Sequence, residues 1–440
     1  MPETVKRYKT KPLECWSKAK DIRMAHYQEV VAARDGGKLL VTGGTDGFIA
    51  LPSGFGDYVF LGGEPYGAAV GNDPSFSVEC HKAVEARGFA RDLCAYLRSY
   101  WGSMFLDKFY FGGRFPRPDF CLQMHVCDSQ AKWYQQVSEY FAVPYFGIEM
   151  PVVFQSRGLD DGVEYLTAQL HEAIEWMCKV TGRSYDDEKL IEAVRNECLT
   201  QSLWGEVALL NQNIPAPLDQ KTLFSLYVIG ILIRHKKESV DFYRELKDEV
   251  RERVAEKIGA LSTERCRILD DCMPPWSFLE IYRYLEKFGA VTVGSLYTFS
   301  LLGAFEEAKD LTWSRKKTPE EEGKSLKTRD DALRALARWY LERPINGNLT
   351  LAGEKNPYML KAVKDWHCNG AMIHLNRGCK LFATGLMENR VALAEAGVPV
   401  MTYEGNMGDE REVDKAKIYS NIDTFMERMG MQKLAENKSV

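Results

Sequence analysis

The chain has 440 residues, 45 % of them hydrophobic and 27 % charged, and a formal net charge of −5. At roughly 100–200 residues per domain this length suggests two to four domains, and the mixture is that of a globular protein with a sizeable core. The acidic balance excludes an overall basic field of the kind that draws proteins to nucleic acid or anionic lipid, so an acidic ligand has to be met by local cations.

The first stretch, MPETVKRYKTKPLECW, has no apolar signal core, and a cytoplasmic location is expected. KLLVTGG (38–44) and DYVFLGG (57–63) each read as a strand ending in Gly-Gly. GFARDLCAYLRSYWGSM (88–104) has helical spacing, with Phe89, Leu93, Tyr96, Leu97 and Tyr100 on one face. DFCLQMHVCD (119–128) is strand-like and runs into the helical AKWYQQVSEYF.

From about 159 to 260 the pattern is helical throughout. Leu166, Leu170, Ile174 and Met177 recur at helical spacing, and SYDDEKLIEAV (184–194) offers Ser184 as an N-cap with acids in the first turn. LFSLYVIGILI (223–233) is the greasiest stretch. Its eleven residues fall short of the roughly 20 a spanning helix needs, so it reads as a buried helix. FYRELKDEVRERVAEKIGAL (242–261) is a charged amphipathic helix.

Strands return after about 265. AVTVGSLYTF (290–299) is β-rich, TPEEEGKSLKTRDDALRALARWYLER is a charged, mostly helical excursion, and MIHLN, GLMENRVALAEAG (385–397) and VPVMTYEGN (398–406) form a β-α-β unit that favours a parallel sheet. The fold class expected is α/β: two Rossmann-like domains with parallel sheets, 1–150 and 265–440, flanking a helical domain, 151–264.

GGTDG and LPSGFGD are glycine-rich but lack the Gly-Lys-Ser/Thr end of a P-loop, and no G-x-G-x-x-G opens a helix after a strand. They read as turns, and the chain is not expected to hydrolyse ATP. The eleven cysteines are an odd number in a long chain, which argues against a disulfide framework. No C-x-x-C occurs, so the standard zinc-ribbon and ferredoxin spacings are missing, although His367 with Cys368 and His125 with Cys127 are close pairs.

Position says more than spacing. Cys127 follows the strand-like CLQMHV and Cys379 follows MIHLN, and open α/β sheets collect ligands outside the carboxyl ends of their strands. Two cysteines from two domains then face one cleft, with Cys94 on a helix before one of the strands. In VPVMTYEGNMGDER, Asn406 and Asp409 are candidate caps. In GGEPYGAAV, Glu64 and Tyr66 either handle protons or shape a turn.

Taken together, CAYLRSYWG around Cys94, HVCDSQAKWY around Cys127, GRSYDDEKLIEAV, HLNRGCK around Cys379 and VPVMTYEGNMGDER resemble the 2-hydroxyacyl-CoA dehydratase / benzoyl-CoA reductase family over roughly residues 60–430. The separation of 33 residues between Cys94 and Cys127 fits the family's pattern, and the third cysteine falls in the last domain. EPYGA, HLNRGC and the length look most like the B (O-type) core subunit of an ATP-dependent benzoyl-CoA reductase.

The resemblance implies a [4Fe–4S] cluster held by Cys94, Cys127 and Cys379, with Cys121 and Cys368 as bystanders. It implies a homologous second core subunit, a separate ATP-hydrolysing activator with its own cluster, and ferredoxin as upstream donor. The implied activity is an oxidoreductase that dearomatises an aromatic acyl-CoA to a cyclic dienoyl-CoA. The alternative is a lyase subunit of a radical 2-hydroxyacyl-CoA dehydratase, and a third reading is a scaffold with the substrate held by the partner. Tyr66, Glu64 and His125 are the candidate proton carriers, and Arg315, Lys316 and Lys317 are candidate cations for coenzyme A. An exposed cluster iron implies sensitivity to oxygen, which full activity after prolonged aerobic handling would contradict.

Overall fold

The computed structural model describes residues 6–33, 35–44, 47–153, 158–303, 305–307, 312–343 and 352–435. Thr45 and Asp46 of GGTDG lie outside them. Two four-stranded parallel sheets organise the chain, as the α/β expectation requires.

The first sheet has the order β2-β1-β3-β4, from β1 (Leu39–Gly43), β2 (Tyr58–Gly62), β3 (Phe120–His125) and β4 (Tyr145–Glu149). β1 and β2 are buried along their whole length, which is why LLVTG and YVFLG are continuous apolar runs and not alternating ones. Their register pairs Leu39 with Tyr58 and Gly43 with Gly62, so both strands end level.

The second sheet has the order β10-β9-β5-β6, from β5 (Cys266–Asp271), β6 (Ala290–Ser295), β9 (Gly370–Asn376) and β10 (Val400–Gly405). Helices Asp128–Phe141, Glu280–Glu286 and Leu386–Glu395 are the crossovers that keep successive strands parallel. A short antiparallel hairpin, β7 (Phe305–Glu307) and β8 (Trp313–Arg315), precedes helix Arg329–Leu341.

Four helices, Leu159–Thr181, Asp187–Leu210, Gln220–Ile233 and Lys237–Ala255, fill the middle of the chain. Gln220–Ile233 is buried on nearly every side, with Leu223, Leu226 and Ile229 fully inaccessible, as expected for LFSLYVIGILI. Among the described residues no helix is long and apolar enough to cross a membrane. Helix Arg329–Leu341 packs on Leu159–Thr181 and Asp187–Leu210 and shares one core with the outer face of the first sheet (Val41, Phe60, Leu122). A buried ion pair, Arg234 Nε donating to Glu197 Oε1 at 2.7 Å, joins two of the central helices, and Arg234 Nη2 reaches the carbonyl of Gly47 at 2.8 Å.

Three local expectations shift. The helix expected over 88–104 begins at Ala95, with Cys94 in extended backbone as its N-cap. The cap before Leu190 is Asp186, accepting from Glu188 N, and not Ser184. The Tyr185 ring is held against the 3₁₀ turn Leu51–Phe55, its hydroxyl donating to Leu51 O at 2.6 Å, which keeps 184–185 out of the helix. The run AVTVGSLYTF is strand only to Ser295, whose hydroxyl and Thr298 form a capping box that starts helix Leu296–Ser300.

Candidate active site

The carboxyl ends of both sheets converge on one apolar cavity of about 70 Å³. Each wall comes from the segment just past a strand. Glu64 follows β2; Val126, Cys127, Ser129, Gln130 and Trp133 follow β3. Met273 follows β5, Tyr297 and Leu301 follow β6, Cys379 and Phe382 follow β9, and Met407 follows β10. Cys94 and Tyr96 enter from helix Ala95–Leu106. This is where ligands gather in parallel α/β architectures, here with two sheets contributing.

The three cysteines share a local design. Each is the residue immediately before a helical segment: Cys94 before Ala95–Leu106, Cys127 before Asp128–Phe141, Cys379 before the short Lys380–Ala383. Backbone N–H groups of Tyr96 and Leu97 reach the Cys94 sulfur, those of Ser129 and Gln130 reach Cys127, and that of Phe382 reaches Cys379. Such donors favour a thiolate, or a sulfur bound to metal, over a free thiol.

Without a metal, burial wins. It pushes the Cys94 thiol up to about 11 and Cys127 to about 12, and Cys379 well above its ordinary value. After burial, the neighbouring Cys272, Cys94 and Cys127 raise Cys379 further by charge repulsion, which places four sulfurs near one another. Cys272 is fully buried behind the cavity and has φ +79°, rare for a residue with a side chain.

The backbone fixes how closely two of these cysteines approach. Gly378 has φ +83°, and a Cβ there would stand 2.8 Å from Leu93 O and 3.0 Å from Asp92 O. The turn before Cys379 therefore lies directly against the turn before Cys94. Arg98, fully buried, holds the same turn by donating from Nε to Leu93 O at 3.1 Å, while its Nη1 donates to Asp409 Oδ2 at 3.0 Å. His81 Nδ1 lies 3.3 Å from the same carboxylate oxygen, and Arg411 bridges Asp409 to Glu85. Burial alone would raise the Asp409 carboxyl, but the Arg411 and His81 contacts and the Arg98 charge hold it far below the usual range. This cluster locks helices Pro74–Glu85 and Ala95–Leu106 to the loop after β10.

Of the residues expected from sequence, Cys94, Cys127, Cys379 and Glu64 come together at the cavity. Glu64 accepts from Gln130 Nε2 and, at 3.5 Å, from the Tyr134 hydroxyl. Tyr66 stands apart: its hydroxyl contacts Ser103 and accepts from Tyr110 N at 3.0 Å, and its ring stacks on Phe109 at 4.9 Å. His125 ends β3 with Nδ1 2.7 Å from Glu149 Oε2 and is no part of the wall. Cys121 lies inside β3 and Cys368 beside Cys266 and Arg267, both away from the cavity. Arg315 is bound to Glu321 and Lys316 to Glu342; neither they nor Lys317 line the cavity.

Sequence reasoning missed Tyr96, Tyr297, Gln130 and the Arg98–Asp409 lock. The Ser-x-x-Thr capping signal at 295–298 would have pointed to Tyr297 as a residue just past a strand.

Among the described residues no three His, Cys, Asp or Glu side chains are grouped closely enough to hold a single metal ion. A polynuclear cluster asks for something else, one thiolate per iron, and three half-buried thiols on one apolar cavity with N–H donors at each sulfur fit that donor set.

A two-sheet α/β protein with a cysteine-walled cavity at the strand ends is the class these features define. The chain belongs to the family described as 2-hydroxyglutaryl-CoA dehydratase, D-component, whose model matches residues 67–429. It is 26 % identical over 379 residues to the (R)-phenyllactyl-CoA dehydratase alpha subunit of Clostridium sporogenes, covering 85 % of both chains. It is 26 % identical over 368 residues to the (R)-2-hydroxyisocaproyl-CoA dehydratase alpha subunit of Clostridioides difficile, covering 81 % of this chain and 82 % of the other. With the B-type subunit of benzoyl-CoA reductase from Thauera aromatica it shares 22 % over 364 residues, 80 % and 79 % of the two chains.

Proposed function

We propose that the chain is a core subunit of an iron–sulfur enzyme acting on an acyl-CoA thioester, with Cys94, Cys127 and Cys379 as ligands of a [4Fe–4S] cluster. The observation behind this is the convergence of these three residues, and no other cysteine, on the wall of one cavity. The cluster supplies single electrons, and its fourth iron, without a cysteine, leaves a ligand position open. The chain's own residues do the rest: helix-start N–H groups stabilise the sulfurs, Trp133, Phe382, Leu301 and Met407 exclude water, and Glu64 is placed to hold or return a proton.

No lysine, arginine or histidine lines the cavity, and Glu64 is its one ionisable group besides the thiols and phenols. A second carboxylate on the acyl group would meet Glu64 with no cation to offset it, so the acyl chain proposed is uncharged, alkyl or aryl.

Two outcomes of one-electron chemistry suit such a site. Dehydration of a 2-hydroxyacyl-CoA is put first, supported by the two dehydratase alpha subunits at 26 % identity. Reductive dearomatisation of an aromatic acyl-CoA is supported by the likeness to the benzoyl-CoA reductase chain and by EPYGA and HLNRGC. In either case a homologous second subunit and an ATP-hydrolysing activator are the partners proposed. ATP and reductant in fixed ratio to product mark the reductase, whereas a dehydratase needs only catalytic priming.

The test of the site is anaerobic iron and acid-labile sulfide analysis with EPR, comparing wild type with Cys94→Ser, Cys127→Ser, Cys379→Ser and Cys15→Ser. One cluster lost in the first three variants and kept in the fourth is expected. Unchanged iron and spectra in the first three would make these cysteines packing residues and end the proposal.

A further inference from the structure

Two phenols share the cavity with the three cysteines. Tyr96 and Tyr297 both line it and are buried, at 2 % and 4 % exposure. Their hydroxyl oxygens lie 3.4 Å apart, and either can be the donor. On the far side of Tyr297, the Tyr227 hydroxyl donates to its oxygen at 2.8 Å. On the far side of Tyr96, the Trp276 indole N–H donates to its oxygen.

The proton inventory of this row does not close. Trp276 has a donor only, and Tyr227 gives its proton to Tyr297, so both flanking groups arrive as donors. The two central phenols carry one O–H proton each, and the single contact between them uses one. Among the described residues no acceptor takes the other. A buried hydroxyl proton left without an acceptor costs about 1–3 kcal/mol. Here it sits on a cavity wall whose other parts are thiols, Glu64 with its own donors, and apolar side chains.

An acyl-CoA with an uncharged acyl chain brings one polar group into such a space, the thioester carbonyl oxygen. One-electron reduction of the thioester places negative charge on that oxygen, where a preset donor is worth most. We infer that the Tyr96–Tyr297 pair is the hydrogen-bond donor for the substrate's thioester carbonyl, with Tyr227 and Trp276 as positioning residues that fill the acceptor sides of the pair and direct its spare proton into the cavity. The inference rests on the acyl-CoA reading above and deepens it. It asks for a neutral donor at the oxygen, and no electron or proton has to leave the phenols.

The experiment uses the anaerobically purified complex and 3-phenylpropionyl-CoA carrying ¹³C at the thioester carbonyl, a probe with no 2-hydroxyl to eliminate. Isotope-edited infrared spectra give the carbonyl band free and bound, and titration gives the affinity, for wild type, Tyr96→Phe, Tyr297→Phe and the double variant. Iron content and melting temperature show that each variant is folded and loaded.

The expected result is a bound band below the free position in wild type, moved back toward it in at least one single variant and fully in the double, with binding weakened about 2- to 10-fold. A band unchanged in both single variants overturns the inference, and so does a shift retained in the double. The two single variants decide alone when the double fails to fold. A probe that binds wild type with no shift overturns the inference and leaves the acyl-CoA reading standing. Failure of wild type to bind the probe at all defeats that reading, and this inference with it.

Discussion

Replacing Gly378 by alanine perturbs the site through the backbone and touches no proposed ligand directly. Two costs add. At φ +83° an L-residue other than glycine pays about 1–2 kcal/mol. The new methyl also meets backbone, not a movable side chain: Leu93 O at 2.8 Å, Asp92 O at 3.0 Å and Leu93 C at 3.2 Å. Relieving those contacts takes a displacement of several tenths of an ångström between the turns that carry Cys379 and Cys94, at about 1–3 kcal/mol. The sum is about 2–5 kcal/mol.

Gly397 supplies the control, since it has φ +78° and open space around it, so alanine there incurs the conformational cost alone, about 1–2 kcal/mol. The assay is chemical denaturation of both variants together with anaerobic iron and sulfide content. Gly378→Ala is expected to lose more stability than Gly397→Ala and to lose iron, while Gly397→Ala keeps its iron. Equal destabilisation with wild-type iron in both would refute the claim that the Gly378–Leu93 approach sets the spacing of the two cysteines.

Asp409→Asn should destabilise by about 3–5 kcal/mol, because it leaves the buried Arg98 guanidinium without its charge partner; a loss under 1 kcal/mol in urea unfolding would show that Glu85 suffices. Stability should also fall with acid through His26 and His374, each held down to about 4 chiefly by burial, against about 6.5 when unfolded. Between those values the unfolded chain binds more protons than the folded one, so stability present at pH 7 is lost as pH falls from about 6.5 to 4, by up to about 3 kcal/mol per histidine. Denaturation midpoints at pH 7 and 4.5 check this, and His26→Phe should flatten the slope; an unchanged slope counts against it.

What the sequence made legible was set by range. Strands of two parallel sheets are continuous apolar runs, and a residue just past such a run is at the sheet's carboxyl edge, so Cys127 and Cys379 were visible. The same logic separates Cys121, within β3, from Cys127, beyond it. Tyr297 was hidden because SLYTF continues a β-rich run, and only the capping box shows that the strand stops at Ser295. Tyr66 and Glu64 share the single helix Gly63–Gly71, yet Glu64 faces the cavity and Tyr66 an aromatic cluster with Phe109. Residues two apart on a helix point about 200° apart, which a strand-then-turn reading of EPY could not see. The Arg98–Asp409 lock joins positions 311 residues apart and leaves no local signal.

The cavity's walls run from Glu64 to Met407, with Cys379 and Met407 contributed last. During synthesis the chain therefore exists for most of its length with Cys94 and Cys127 already made and their facing wall absent. A cofactor that needs all three cysteines has no complete seat until the second sheet has been translated and docked. Loading belongs to the finished polypeptide, and a protein truncated before residue 379 would carry two thiols and no cage.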